Sequence, residues 1–196
     1  MAALYGDAPQ QIFREFCEHL NRLLHTTITD ANLRLLAAEH RHRGFLEFRQ
    51  GEHGEIRCAR VGGSYYLFLA QTLEAEEKMV EGSKKYRLRT LRYAYRVTEG
   101  PTLDSRWLFR WEYESPKIKP HLYPRHHIHV NTGVNCFSDR FTLNCSELHV
   151  PSGWIAIEEV IRFLIHELRL EPKRPDWDQL LLDSEERFTE WTERTI

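Results

Sequence analysis

The stretch Tyr123-Pro124-Arg125-His126-His127-Ile128-His129-Val130 gathers three histidines and an arginine into eight residues. Successive side chains of a strand point to opposite faces, so a strand here sets His127 and His129 together and turns Ile128 and Val130 away. Two imidazoles with Arg125 beside them suit acid–base cleavage of a phosphodiester, one ring as base, one as acid, and the guanidinium offsetting phosphate charge. The same pair suits a divalent metal as candidate cofactor, completed by a third ligand from His121, His149 or Glu112. Five of the eleven histidines fall within residues 121–149. One histidine on a half-exposed strand needs no function, but two aligned rings invite a shared proton or a shared ligand. The His-apolar-His-apolar-His pattern of nucleotide hydrolases is approached and missed, because its third position is Asn131.

A second chemical stretch is Lys84-Lys85-Tyr86-Arg87-Leu88-Arg89-Thr90-Leu91-Arg92-Tyr93-Ala94-Tyr95-Arg96. As one regular strand it puts Lys85, Arg87 and Arg89 on a face with Tyr93 and Tyr95. Cations beside aromatic rings offer phosphate neutralisation and stacking to single-stranded nucleic acid. The simpler reading is a solvated strand whose tyrosines pack a sheet. Trp107, Phe109, Trp111 and Tyr113 alternate with Arg106, Leu108, Arg110 and Glu112, the pattern of a strand with one face in a core and one in water. Arg41-His42-Arg43 reads as the cationic C-terminal end of a helix.

These residues need elements to position them. The 196 residues are 41% hydrophobic and 29% charged, enough for one globular domain with a substantial core. Ile12, Phe13, Phe16, Cys17, Leu20, Leu23 and Leu24 recur with helical period behind Asp7 and Pro9, and a second helix is expected from Asp30 through Leu33, Leu36 and Ala37. Residues 1–44 thus read as a helical hairpin. From Phe45 to Val150, β-branched and aromatic clusters separated by Gly62-Gly63, Glu81-Gly82-Ser83 and Glu99-Gly100-Pro101 predict strands near 45–49, 55–61, 64–74, 85–98, 105–115, 125–132 and 141–150. After Pro151-Ser152-Gly153, Ile157, Val160, Ile161, Leu164, Ile165 and Leu168 form one apolar stripe ended by Pro172. A last helix starts at Asp176-x-x-Gln179 and carries Trp177, Leu180, Leu181, Phe188 and Trp191. The expected fold is α+β in a single domain: an N-terminal helical hairpin, a twisted, mainly antiparallel sheet over 45–150, and two C-terminal helices over 151–196.

Cys17, Cys58, Cys136 and Cys145 show no metal or disulfide spacing and read as free thiols. No apolar run reaches the roughly 18 residues of a membrane span, and Met1 to Asp7 lacks a signal-peptide pattern, so the chain is expected in the cytoplasm and off the membrane. Residues 1–146 carry 21 Lys and Arg against 17 Asp and Glu, while residues 147–196 carry 6 against 12. A basic body with an acidic tail suits a polyanion on one side and a basic partner on the other.

The order of a Tyr/Arg-rich strand (Tyr86 to Val97), Arg110-Trp111-Glu112, the Tyr123-Pro124-Arg125-His126-His127-Ile128-His129 cluster and a Pro-Ser before an Ile/Glu/Val helix resembles the TumE-like proteins of bacterial toxin–antitoxin loci, over roughly residues 60–170. The terminal His-x-His of that family falls on His127 and His129. The resemblance implies a small toxin-like protein of a stress or phage-defence locus, acting on RNA or a nucleotide and partnered by a cognate antitoxin or effector. A non-catalytic module that binds nucleic acid or protein is the alternative.

Overall fold

In the computed structural model, residues 5–38, 42–50, 54–116, 124–131, 135–138, 141–144 and 148–191 are described. Along the chain run α1 (Pro9–Thr27), β1 (Leu33–Ala38), β2 (Arg43–Gln50), β3 (Glu55–Ile56), β4 (Ala59–Gly62), β5 (Tyr65–Val80) and β6 (Ser83–Thr98). There follow β7 (Trp107–Glu114), β8 (His126–Val130), β9 (Asn135–Ser138), β10 (Phe141–Asn144), β11 (Val150–Pro151), α2 (Ile157–His166) and α3 (Trp177–Trp191). The fold is α+β. One antiparallel sheet runs β1-β2-β5-β6-β7-β8-β11, with β3 paired to β2 and β4 to β5, while β9 and β10 pair separately.

β5 and β6 form the spine. Each is 16 residues long, and they meet at a two-residue turn in which Glu81 and Gly82 have φ of 49° and 77°. Positive φ at both central residues matches the turn to the twist of the strands it joins. One face of the sheet carries all three helices, and the core lies between. From α1 come Ile12, Phe13, Phe16, Leu20 and Leu24, and from α2 Ile157, Val160, Ile161 and Leu164. They meet Leu46, Leu67, Leu69, Leu73, Tyr95 and Val97 of the sheet. Gly44 lets β2 pass close under α1, since a Cβ there would sit 3.0 Å from the Phe13 ring.

The second half of the expected N-terminal hairpin is a strand. Leu33–Ala38 pairs with β2 from Leu33↔Phe48 to Ala38↔Arg43. Its composition favours a helix, but as a strand it puts Leu33 and Leu35 against the core, and tertiary burial overrides local propensity. Asn21 of α1 fixes the choice: its side chain donates to the Leu33 carbonyl at 3.1 Å and accepts from the Leu33 N–H at 2.7 Å, as a neighbouring strand would. The helix end expected at Arg41-His42-Arg43 is not found at its described residues: His42 has φ of 48° and Arg43 begins β2, while Arg41 lies outside the described residues.

The helices are tied by polar groups as well. Glu158 of α2 is fully buried, the Ser184 hydroxyl of α3 donates to it at 2.5 Å, and His19 Nε2 of α1 lies 2.9 Å from the same hydroxyl. Cys17 and Cys58 are free and buried, and burial, with Glu18 adding, pushes the Cys17 thiol up to about 11. Cys145 and the side chains of Cys136, Phe188 and Trp191 lie outside the described residues. Among those described, no helix is long and apolar enough to cross a membrane.

Candidate metal centre

Register builds the site on the sheet face away from the helices. β7 pairs with β8 so that Glu112 stands opposite His127 and Arg110 opposite His129. On the other side of β8, β11 sets Pro151 opposite His127, which brings His149 level with His129. The ring centroids of the three histidines are 5.0, 4.8 and 4.5 Å apart for the pairs 127–129, 127–149 and 129–149. Each imidazole offers a ligand nitrogen, and these lie within 4.8 Å of one another. His127 and His129 are only 3% and 4% exposed, and the Trp107 ring meets His129 edge-on at 6.3 Å.

Hydrogen bonds determine what these groups present to one another. His127 Nδ1 lies 2.8 Å from the Pro124 carbonyl. A carbonyl only accepts, so Nδ1 holds a proton and Nε2 is the ring atom turned toward Glu112. That Nε2 is 3.5 Å from Glu112 Oε2, and His129 Nε2 is 3.9 Å from the same oxygen. The other carboxylate oxygen, Oε1, accepts from Arg110 Nε at 3.2 Å and Nη2 at 2.5 Å. Arg110 is itself placed by the Trp107 ring, 5.3 Å away. A carboxylate oxygen and imidazole lone pairs repel unless a proton or a metal cation lies among them.

His129 is not suited to supply that proton. Burial, with Arg110 next, lowers its pKa to about 4 despite the opposing pull of Glu112. Burial also works against the charge on Glu112, but the Arg110 hydrogen bond and charge, with His129 and His127, hold its pKa below the usual carboxylate value. The site at neutral pH thus combines an ionised carboxylate with a neutral His129, the state in which imidazole ligates a metal. His129 Nδ1 is buried and has no hydrogen-bond partner among the described residues. An ion about 2.1 Å from each nitrogen in tetrahedral geometry sets the nitrogens about 3.4 Å apart, so modest ring rotations close the set. The Nδ1–carbonyl bond of His127 is the usual brace for a ligating histidine.

The other anticipated residues divide by face. Arg125 is exposed just before β8, and the cation brought to the histidines is Arg110. His126 belongs to the helix side, stacked on Tyr113 at 4.3 Å with Tyr93 Oη 3.4 Å from its Nδ1. His121 lies outside the described residues. Lys85, Arg87 and Arg89 do not share a face with Tyr93 and Tyr95. A bulge at Leu91, where the partners of Leu73 and Thr72 jump from Thr90 to Arg92, reverses the alternation of β6. Tyr93 and Tyr95, 1% and 2% exposed, therefore turn under the helices. There Gln71 Nε2 donates to Tyr95 Oη at 2.6 Å, and the Ile155 N–H to Tyr93 Oη at 3.1 Å. Arg92, Ala94 and Arg96 take the far face together with Arg87 and Arg89. Lys85 pairs with Asp7, and Arg89 with Glu76 at 2.8 Å.

A second bulge, at Leu108 between Val97↔Phe109 and Thr98↔Trp107, moves Trp107 out of the alternating core row and over Arg110. The slip at Leu91 leaves a trace in the sequence: the apolar phase runs through Tyr86 and Leu88, then through Leu91, Tyr93, Tyr95 and Val97. The role of Arg110 was likewise signalled, by Arg110-x-Glu112 matching the period of His127-x-His129. Comparison with protein-family models, curated proteins and solved structures finds no match for this chain.

Proposed function

We propose that this chain is a metal-dependent hydrolase of phosphodiester bonds in RNA or a nucleotide, with His127, His129 and His149 holding a divalent ion and Glu112 acting as base. The observation that carries the reading is the convergence of one ring nitrogen from each of His127, His129 and His149, within 4.8 Å of one another and beside the Glu112 carboxylate. Three protein ligands with room for water are the usual form of a catalytic site for such an ion. When bound, the ion would supply a Lewis acid and a water of lowered pKa. Glu112 Oε2, left unengaged by Arg110, would take a proton from the attacking water, whose oxygen bonds to phosphorus as the ester P–O bond breaks. The proton passes on to the leaving oxygen. Arg110 keeps the carboxylate ionised and aimed. Arg96, on the same face and paired with no carboxylate among the described residues, supports an anionic substrate, and the resemblance to TumE-like proteins supports a toxin of a toxin–antitoxin or defence locus.

Cleavage of RNA and of nucleotide phosphodiesters by the purified chain tests this. Activity should vanish with a chelator, return with zinc or manganese, and be lost in His127→Ala and His129→Ala proteins that remain folded. Expression in bacteria should arrest growth, and the same substitutions should relieve it. Metal-loaded protein that leaves RNA, DNA and nucleotide diesters untouched would overturn the reading.

A further inference from the structure

Beside the metal centre, the far face of the sheet holds a cleft of about 370 Å³ whose lining includes Phe45, Ala70, Arg92, Ala94, Arg96 and Glu112. Register explains its shape. Across the sheet, Glu47, Ala70, Ala94, Glu112 and His127 occupy one row, each opposite the next. The two alanines leave only methyl groups between a flank of Phe45, Thr72 and Arg92 and a flank of Phe68 and Arg96. A flat apolar floor results, open at one end onto Glu112. Ala94 is two strand spacings, roughly 10 Å, from His127.

The second flank carries an uncompensated charge. Arg96 stands directly opposite Arg110, and like charges in that position disfavour the sheet. Arg110 is neutralised by Glu112, but among the described residues no carboxylate pairs with Arg96. Its guanidinium lies over the Phe68 ring at 5.8 Å and donates to the Leu103 carbonyl at 3.3 Å. Burial, and then Arg110, works against its charged state. A bound anion between Arg96 and the histidines would relieve both.

We infer that the cleft receives a single nucleotide, its phosphate between Arg96 and the histidine trio and its base flat on the Ala70–Ala94 floor. The inference rests on the reading of the trio as the place where phosphate is attacked. It narrows the substrate to a free nucleotide or one nucleotide of a single strand, because a cleft of this size at the low end of small-ligand pockets does not admit a duplex. Arg96 is a binding residue for phosphate in this account, and Ala94 sets specificity for a planar base.

Calorimetric titration of the full chain with adenosine 5′-monophosphate, ribose 5-phosphate, inorganic phosphate, a short single-stranded RNA and a short duplex tests this, with bound metal measured in every sample. Adenosine monophosphate should bind about tenfold or more tightly than ribose 5-phosphate, because only its base buries apolar surface against the floor. Ala94→Leu should erase that preference and leave phosphate binding in place, while Arg96→Gln should weaken every phosphate ligand. Tighter binding of the monophosphate than of the single strand identifies a free nucleotide, and the reverse identifies an RNA strand. Equal affinity for adenosine monophosphate and ribose 5-phosphate, or for single strand and duplex, overturns the inference, and this holds even if the Ala94 variant fails to fold. A base preference in a protein that binds no metal would sink the metal reading and keep the cleft; metal without base preference would do the opposite.

Discussion

Trp111 and Glu112 are neighbours on β7 and serve opposite faces. Trp111, with Tyr93 and Tyr95, packs under the helices and meets the Phe163 ring of α2 at 5.3 Å. Glu112 joins Arg110 and two histidines on the far face, and its charge is balanced by Arg110. On the helix side aromatic and aliphatic packing dominates, and polar groups are fitted into it, as Gln71 Nε2 is by donating to Tyr95 Oη. On the far side, His129 Nδ1 has no hydrogen-bond partner among the described residues, and Glu112 Oε2 faces ring nitrogens of His127 and His129. The first face is held by packing, and the second gathers ionisable groups around one point.

That contrast can be broken most forcefully on the far face. Glu112→Gln removes the base but keeps the shape, and should lower the cleavage rate by about 10²- to 10⁴-fold, with the thermal midpoint close to wild type. A rate unchanged in single-turnover assays would take Glu112 out of the chemistry. On the helix side the expected loss is of stability. Leu164 is fully buried in α2, so Leu164→Ala should cost about 2–5 kcal/mol in urea unfolding and leave metal content unaltered. An unfolding curve like wild type would show that this stripe does not hold the sheet.

Acid sharpens the comparison, because each side holds a histidine whose pKa is lowered to about 4. The pKa of His19, between the helices, is lowered to about 4 by burial, then by Arg187 and Arg22, and His129 falls to about 4 as well, from an ordinary 6.5. As pH falls through 6.5, the unfolded chain takes up protons that the native chain refuses until about 4. The stability of metal-free protein should therefore fall with falling pH across that window. His129→Asn should remove the far-face share of the slope and His19→Gln the helix-side share, read from urea unfolding at stepped pH. Parallel slopes in all three proteins would contradict both assignments. The smallest effect is expected at Arg125, which is exposed. Arg125→Ala should shift stability by no more than about 0.5 kcal/mol and leave cleavage intact, whereas Arg110→Ala should impair cleavage by freeing Glu112. Equal losses in the two variants would return phosphate stabilisation to Arg125.

Much of this was legible before any coordinates. Long apolar periods gave α1, α2 and α3, and alternation gave the antiparallel sheet and the shared face of His127 and His129, since these depend on local pattern alone. Leu33–Ala38 misled because its intrinsic preference is helical and only the Asn21 clamp and the β2 edge make it a strand. The tyrosine and arginine face of β6 misled because alternation assumes unbroken pairing, and a single extra residue at Leu91 reverses it. His149 and Glu112 stood among three possible third ligands; choosing them required the register of β8 against β7 and β11, which no local pattern contains.

The central claim is that His127, His129 and His149 bind one ion together. Equilibrium dialysis of the full chain against zinc, followed by elemental analysis of wild type and of His127→Ala, His129→Ala and His149→Ala, tests it directly. One ion per chain in wild type, with each single substitution weakening it at least about tenfold as loss of a ligand should, is the predicted result. Wild type that retains no more zinc than the three variants would contradict it.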